Sequence, residues 1–319
     1  MMRAVLLDEC GRPPSLGTRD KPVAGNGELS VRVTAASITP LDVLCASGTS
    51  YFGAPATPYV PGVQGVGELE DGTAVWFATS AGMRPGDGSM AEYAVVRPED
   101  TVPLPDGVDH RLIAALGLSA VAAYQALTAR GGLTAGQQVL VLGGGGVVGQ
   151  AGIQLALLGG ARRVIAACRT PASRERAAAL GAAACVPSAG LDVDELAAEL
   201  RAAADGPIDL VLDPLFGVPA AAALRVLRPG GVLVNLGGSA GPTAPIDSAT
   251  LRSGSLNVLG YTNNSLTEKE RADALGVIAE HVRAGRLAVD YDAVPFEDAS
   301  GAWDRQATGT AARRTVLVP

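Results

Sequence analysis

The chain has 319 residues, 48% of them apolar, with 25 Lys and Arg against 32 Asp and Glu and a formal net charge of −7. That length and apolar share suit about two domains with sizeable cores, and the acidic balance without any basic block excludes a general nucleic-acid surface. No apolar run of about 18 residues predicts a membrane span, and Met1 to Glu9 turns acidic too early for a signal peptide, so a cytoplasmic protein is expected. Cys10, Cys45, Cys168 and Cys185 contain no C-x-x-C pair and predict free thiols rather than a disulfide framework. The only histidines are His110 and His281, too few for most His-based catalysis or zinc sites. His110 follows a Pro-Asp-Gly turn and is expected at the surface, and His281 is read as structural or solvated.

Up to about residue 116, short alternating runs separated by Pro and Gly predict strands at 29–35, 73–79 and 91–96. From about 117 the pattern changes to alternating strand and helix signals. Strands are predicted at 139–142, 163–168, 183–186, 208–212, 231–236 and 256–259. Helices are predicted at 147–158, 172–180, 193–204 and 219–227. Arg228-Pro229-Gly230-Gly231 reads as a helix stop leading into a strand. Residues 268–284 form an amphipathic helix, and from Tyr291 the chain returns to β-like runs. Such βαβ alternation implies a parallel sheet covered on both faces. The expected fold is therefore α/β, a doubly wound dinucleotide-binding domain (residues 117–261) inserted in a β-rich domain (1–116 and 262–319).

The strongest signal lies between the strand at 139–142 and the helix at 147–158. Gly144, Gly146 and Gly149 fit G-x-G-x-x-G in the strand–turn–helix context that gives the motif meaning. The first glycine permits the tight turn, the second close approach to a pyrophosphate, and the third close helix packing. The N–H groups around Val147 and Val148 and the positive helix end then face the phosphates. An NAD reader places Asp or Glu about 20 residues past this loop. Here Val164 to Cys168 is followed by Arg169 and Thr170, with no acid. A permanent arginine charge suits a 2′-phosphate, so NADPH (NADP) is the expected cofactor, with Thr170, Ser173 and Arg174 as further contacts. The alternative for Arg169 is a solvated turn residue. Asn235 and Gly237 close a strand at the sheet's C-terminal edge, where ligands bind, and are expected to contact the cofactor.

The order of the motifs resembles the medium-chain dehydrogenase/reductase superfamily, in its zinc-free quinone oxidoreductase and enoyl reductase branch. The markers are Thr39-Pro40-Leu41-Asp42-Val43-Leu44, then Pro58 to Gly67, Met90 to Val95, Gly117-Leu118-Ser119-Ala120, the glycine loop, and Leu227 to Gly231. The resemblance implies a GroES-like catalytic domain around a Rossmann domain. It also implies hydride transfer from nicotinamide C4 to a quinone or an α,β-unsaturated carbonyl, and a homodimer paired through edge strands, with 256–259 as the candidate. Zinc-dependent members carry Gly-His-Glu where this chain has Gly62-Val63-Gln64, and an early Cys ligand near Ser37 to Pro40 is missing, so no zinc is expected. Many relatives place a tyrosine at Leu44. Tyr51 is the nearest replacement as proton donor, or with Phe52 a pocket lining. Asp42 is a substrate-site group or a helix cap. Ser119 stands where relatives have threonine and is a nicotinamide contact, an N-cap or a packed small residue. Asn263 and Asn264 are ligand contacts or a polar turn. Where relatives carry lysine, this chain has Ser173. Two other readings stay open: an enoyl reductase of a polyketide or other biosynthetic pathway, and an NADPH-binding sensor or structural protein with little turnover.

Overall fold

The computed structural model describes residues 1–319. In chain order it begins with β1 (Met2–Leu6), β2 (Ser15–Arg19), β3 (Leu29–Ser37), α1 (Pro40–Ala46), β4 (Gln64–Glu68), β5 (Ala74–Ala78), β6 (Tyr93–Val96), β7 (Thr101–Pro103) and α2 (His110–Gln125). There follow β8 (Gln138–Leu142), α3 (Val147–Leu158), β9 (Arg163–Cys168), α4 (Pro171–Ala179), β10 (Ala184–Pro187), α5 (Val193–Ala203), β11 (Ile208–Asp213), α6 (Gly217–Leu224), β12 (Leu227–Asn235), α7 (Ser248–Gly254) and β13 (Asn257–Gly260). The last elements are α8 (Glu268–Arg283), β14 (Tyr291–Pro295), α9 (Ala299–Ala307) and β15 (Arg314–Val318). The chain divides into two compact units, Met1–Gly117 with Thr267–Pro319, and Leu118–Leu266.

The first unit is sheet-rich. β1 and β2 form an antiparallel ribbon, and seven further strands form a sheet of order β14-β15-β3-β4-β5-β7, with β6 also paired to β3. Its core gathers Leu7, Ile38, Phe77, Met90, Phe296 and Trp303, each fully buried large side chain contributing roughly 1.5–3 kcal/mol. Alternation is visible in β3, where Val31 and Val33 are buried and Arg32 is exposed between them.

The second unit holds a six-stranded, wholly parallel sheet of order β10-β9-β8-β11-β12-β13. β8 is buried along its whole length, because helices cover a parallel sheet on both faces. The strand order reverses between β8 and β11, and the C-terminal crevice at such a reversal is where open α/β sheets take ligands.

Several sequence expectations require correction. Arg228 to Gly231 is not a helix stop: α6 ends at Leu224, and these residues lie inside β12, where the register with β11 shifts between Ile208 and Leu210. The strand is partly exposed there, and an irregular, exposed strand start tolerates Pro and Gly. The β-like tail contains α9, whose Ala299, Ala302 and Trp303 are buried at helical spacing. The stretch His110–Arg130 is long and apolar enough to cross a membrane by length and composition, although none was expected; 67% of its most apolar window is buried. It is also non-helical at Gly117, with φ 31° and ψ −128°. His110 is not purely a surface group, since its Nδ1 lies 2.9 Å from Thr34 Oγ1.

Helix starts are set by local side chains. Thr267 caps α8, accepting from the Glu270 N–H while Glu270 accepts from the Thr267 N–H at 2.8 Å. The Thr267 N–H and the Thr267 hydroxyl, which donates to the same carboxylate at 2.7 Å, lower the Glu270 pKa. A carboxylate held below its unfolded value stabilises above that value and loses its effect as pH falls through the folded one. The stability advantage of the wild type over Glu270→Gln is therefore expected in full above about pH 5. It is expected to vanish as pH is lowered, a trend read by thermal melting from pH 7 to 3.

Candidate functional site

The turn after β8 is built by glycines. Gly143 carries φ +66°, so the tight turn belongs to the residue before Gly144, to which the sequence pattern assigns it. The Gly144 N–H bonds the Ala167 carbonyl at 3.1 Å, tying the turn to β9. A Cβ on Gly149 would lie 2.7 Å from Gly144 Cα and closer still to the Gly143 carbonyl oxygen, so α3 can approach the turn only with glycine there. Gly146 is the exposed N-cap of α3 and has no side-chain cap. The first-turn N–H groups, including those of Val147 and Val148, therefore take no capping side chain, and the helix dipole adds positive potential. Such an arrangement binds anions and fits a dinucleotide pyrophosphate.

At the end of β9, Arg169 is exposed and Arg174 partly so. Arg174 lowers the pKa of both Cys168 and Cys185 against the effect of burial, which pushes Cys168 up to about 11. Thr170 and Ser173 form a capping box at α4. The Thr170 N–H donates to Ser173 Oγ at 3.0 Å, and that hydroxyl donates to the Thr170 carbonyl at 2.7 Å. Both hydroxyls thus hold the helix start, a commitment that the T-x-x-S spacing already signals.

On the other side of the strand reversal, Asp213 ends β11 fully buried and accepts from the Leu215 and Phe216 N–H groups at 2.9 and 2.8 Å. Burial raises its pKa while these bonds oppose the rise. Asn235 Nδ2 donates to Asp213 Oδ2 at 2.9 Å and to the Gly237 carbonyl at 2.8 Å. Sequence reasoning missed Asp213, because nothing local marks its link to a residue 22 positions on. Asn263 accepts from the Tyr261 hydroxyl at 2.7 Å and donates to the Leu118 carbonyl at 2.9 Å. Its amide therefore fixes the turn after β13. Ser119 is half-buried near the start of this unit.

In the sheet-rich unit, Asp42 is buried at the third position of α1. It accepts from the Thr39 N–H at 2.8 Å, the Thr39 hydroxyl at 2.6 Å and the Val63 N–H at 2.8 Å. Both of its oxygens are committed to the capping box and the following loop, the cap half of the sequence alternative. Tyr51 is 77% exposed, its ring 4.2 Å from that of Phe52. Gln64 is fully buried and donates to Ser37 Oγ at 3.0 Å while accepting from Trp76 Nε1 at 3.3 Å. The Val63 side chain has no metal-ligating atom, and no three His, Cys, Asp or Glu side chains stand together to hold a metal ion. These residues do not fit a zinc site.

Residues 147–280 match the family profile described as zinc-binding dehydrogenase. Human quinone oxidoreductase is 34% identical over 168 residues, 49% of this chain and 50% of that protein, so the match spans about half the length of this curated relative. A phenolphthiocerol/phthiocerol polyketide synthase protein of Mycobacterium tuberculosis is 28% identical over 332 residues, covering 98% of this chain and 14% of that protein. The quinone oxidoreductase of Thermus thermophilus, solved alone and with NADPH, superposes with a TM-score of 0.81 at 31% identity, with all of both chains covered.

Proposed function

The chain belongs to the medium-chain dehydrogenase/reductase superfamily, in its quinone oxidoreductase branch, and on that premise we propose that it is an NADPH-dependent, zinc-independent reductase of quinones or α,β-unsaturated carbonyls. The observation that carries the reading is the uncapped α3 N-terminus on its glycine turn, beside Arg169 and Arg174 at a strand end without an acid. Bound there, the reduced nicotinamide would supply a hydride to the acceptor carbon. The backbone N–H groups of Val147, Val148 and Gly149 hold the pyrophosphate, with Gly146 leaving room for it and Gly144 packing closely on Ala166 and Cys168. Arg169 and Arg174 match the 2′-phosphate, and Thr170 and Ser173 fix the helix start between them. Asn235, Gly237, Ser119 and Asn263 shape the nicotinamide end. In a conjugated acceptor the developing charge is delocalised, so hydrogen-bond donors replace a metal. Solvent or the phenol of Tyr51 supplies the proton, and Asp42 acts by holding the loop at Val63.

All four cysteines are free, which suits a reducing, cytoplasmic setting. β13 is an edge strand with Val258 40% exposed, and we assign it the seam of a homodimer. A second reading, an enoyl reductase of a biosynthetic pathway, is favoured by the match to the polyketide synthase protein along 98% of this chain.

The test is NADPH oxidation followed by absorbance against quinones, enones and enoyl thioesters, with NADH in parallel. Turnover is expected, and faster with NADPH. Turnover confined to enoyl thioesters would select the second reading, and NADPH binding without any turnover would select a sensor. Arg169→Ala is expected to weaken NADPH binding by about ten-fold or more, the loss of a charge-assisted contact, and to leave NADH unchanged. Equal use of both cofactors by the wild type would remove the role given to Arg169.

A further inference from the structure

We propose that Asn235 reads the amide N–H of the nicotinamide carboxamide through its Oδ1, and that Asp213, together with the Gly237 carbonyl, holds the Asn235 amide in the orientation that presents it. The inference rests on the nicotinamide reading above. Asn235 Nδ2 faces three acceptors: Asp213 Oδ2 at 2.9 Å, the Asp213 carbonyl at 3.3 Å and the Gly237 carbonyl at 2.8 Å. A carboxylate and two carbonyls only accept, so the amide has one favourable orientation. None of these bonds uses Oδ1, and that atom is not among the buried polar atoms lacking a partner. It is an acceptor left open to a ligand where β12 reaches the C-terminal edge of the sheet.

The same carboxylate shapes its neighbourhood. Asp213 Oδ1 holds the N–H groups of Leu215 and Phe216. Phe216 sits at φ 57°, ψ −153°, a conformation costly for a bulky residue and found where the surrounding fold imposes it. The Gly143 turn packs on this segment, since a Cβ there would lie 3.0 Å from Leu215 Cδ2. The turns after β8 and β11 and the end of β12 therefore meet at the strand-order reversal, the ligand edge of an open sheet. The cofactor carries two groups with amine-type N–H donors. The adenine amino group belongs to the 2′-phosphate end, assigned above to β9. The carboxamide is the donor left for β12.

The experiment compares NADP with its 3-acetylpyridine analogue, in which a methyl ketone keeps the carbonyl and removes the N–H. Affinities are read by isothermal titration calorimetry on the full chain. The wild type is expected to bind the analogue about five- to ten-fold more weakly, the loss of one neutral hydrogen bond. Asn235→Ala is expected to bind both alike. Asp213→Asn places a donor where Asn235 Nδ2 now finds an acceptor, leaving only the backbone carbonyls of residues 213 and 237 to hold the amide as it stands. That variant is expected to discriminate less than the wild type while retaining its preference for NADP over NAD. The wild-type comparison needs no variant to fold, and thermal melting checks the other two. Equal affinities in the wild type, or unchanged discrimination in Asn235→Ala, would overturn the carboxamide assignment and leave the cofactor reading standing. Unchanged discrimination in Asp213→Asn would overturn the orienting role. Failure of the wild type to bind either dinucleotide would overturn both inference and cofactor reading.

Discussion

Replacing Gly149 with valine is expected to weaken NADPH binding by at least a hundred-fold, about 2.7 kcal/mol or more, and to lower the melting temperature. The first Cβ atom would already lie 2.7 Å from Gly144 Cα and closer to the Gly143 carbonyl oxygen. Both obstacles are backbone, so no rotamer change relieves them. The chain can respond only by moving α3 away from the turn, which takes the first-turn N–H groups out of position for a phosphate. Overpacking of this kind costs roughly 1–3 kcal/mol in stability as well. Gly276→Ala is the control, because a Cβ there meets nothing within 4 Å and alanine favours a helix interior by up to about 1 kcal/mol. Calorimetric titration and thermal melting of the two variants separate the effects. A Gly149→Val protein that binds NADPH as the wild type does would remove the glycine turn from the cofactor site.

Asp42→Ala is expected to destabilise the protein by about 3–5 kcal/mol, the range for removing one member of a buried charged set. Three donors lose their acceptor together: the Thr39 N–H, the Thr39 hydroxyl and the Val63 N–H. Each buried donor left without an acceptor costs about 1–3 kcal/mol. Asp42 also acts electrostatically on Arg314, which is buried and donates to the Ile38 carbonyl at 2.8 Å. Burial pushes the guanidinium down to about 10 and the Asp42 carboxyl up, each against the attraction of the other. In both groups burial outweighs the attraction of the other. Asp42→Asn keeps acceptor oxygen for Val63 and is expected to recover part of the loss. Urea unfolding of the three proteins reads the order wild type, Asn, Ala. An alanine variant as stable as the wild type would show that the network is not required.

The cofactor unit was legible wherever the signal was local. The run Val139 to Leu142, the glycines and the apolar helix beyond them stand close together in the chain, and α3 and β9 occupy 147–158 and 163–168 as the periodicity predicts. Boundaries failed where a turn signal fell inside a tertiary irregularity. Pro229 and Gly230 stop a helix in isolation, but pairing with β11 carries β12 through them. The tight turn fell one residue early, on Gly143, because four successive glycines offer several equivalent placements and only packing against Leu215 and β9 selects one.

The amino-acid sequence by itself determined the alternation of strands and helices, the place of the glycine turn and the absence of an acid after β9. These follow from backbone freedom and side-chain period, which act between near neighbours. Only the tertiary structure decided which partners the polar side chains take within the fold. Thr170, Ser173, Asn263 and Asp42 all read as contact candidates, yet each is engaged within the fold. Asn235 keeps one atom available because a carboxylate from another strand holds the rest of its amide. Hydrogen-bond partners of this kind come from residues far apart in the chain, and burial makes it costly to leave any of them unsatisfied.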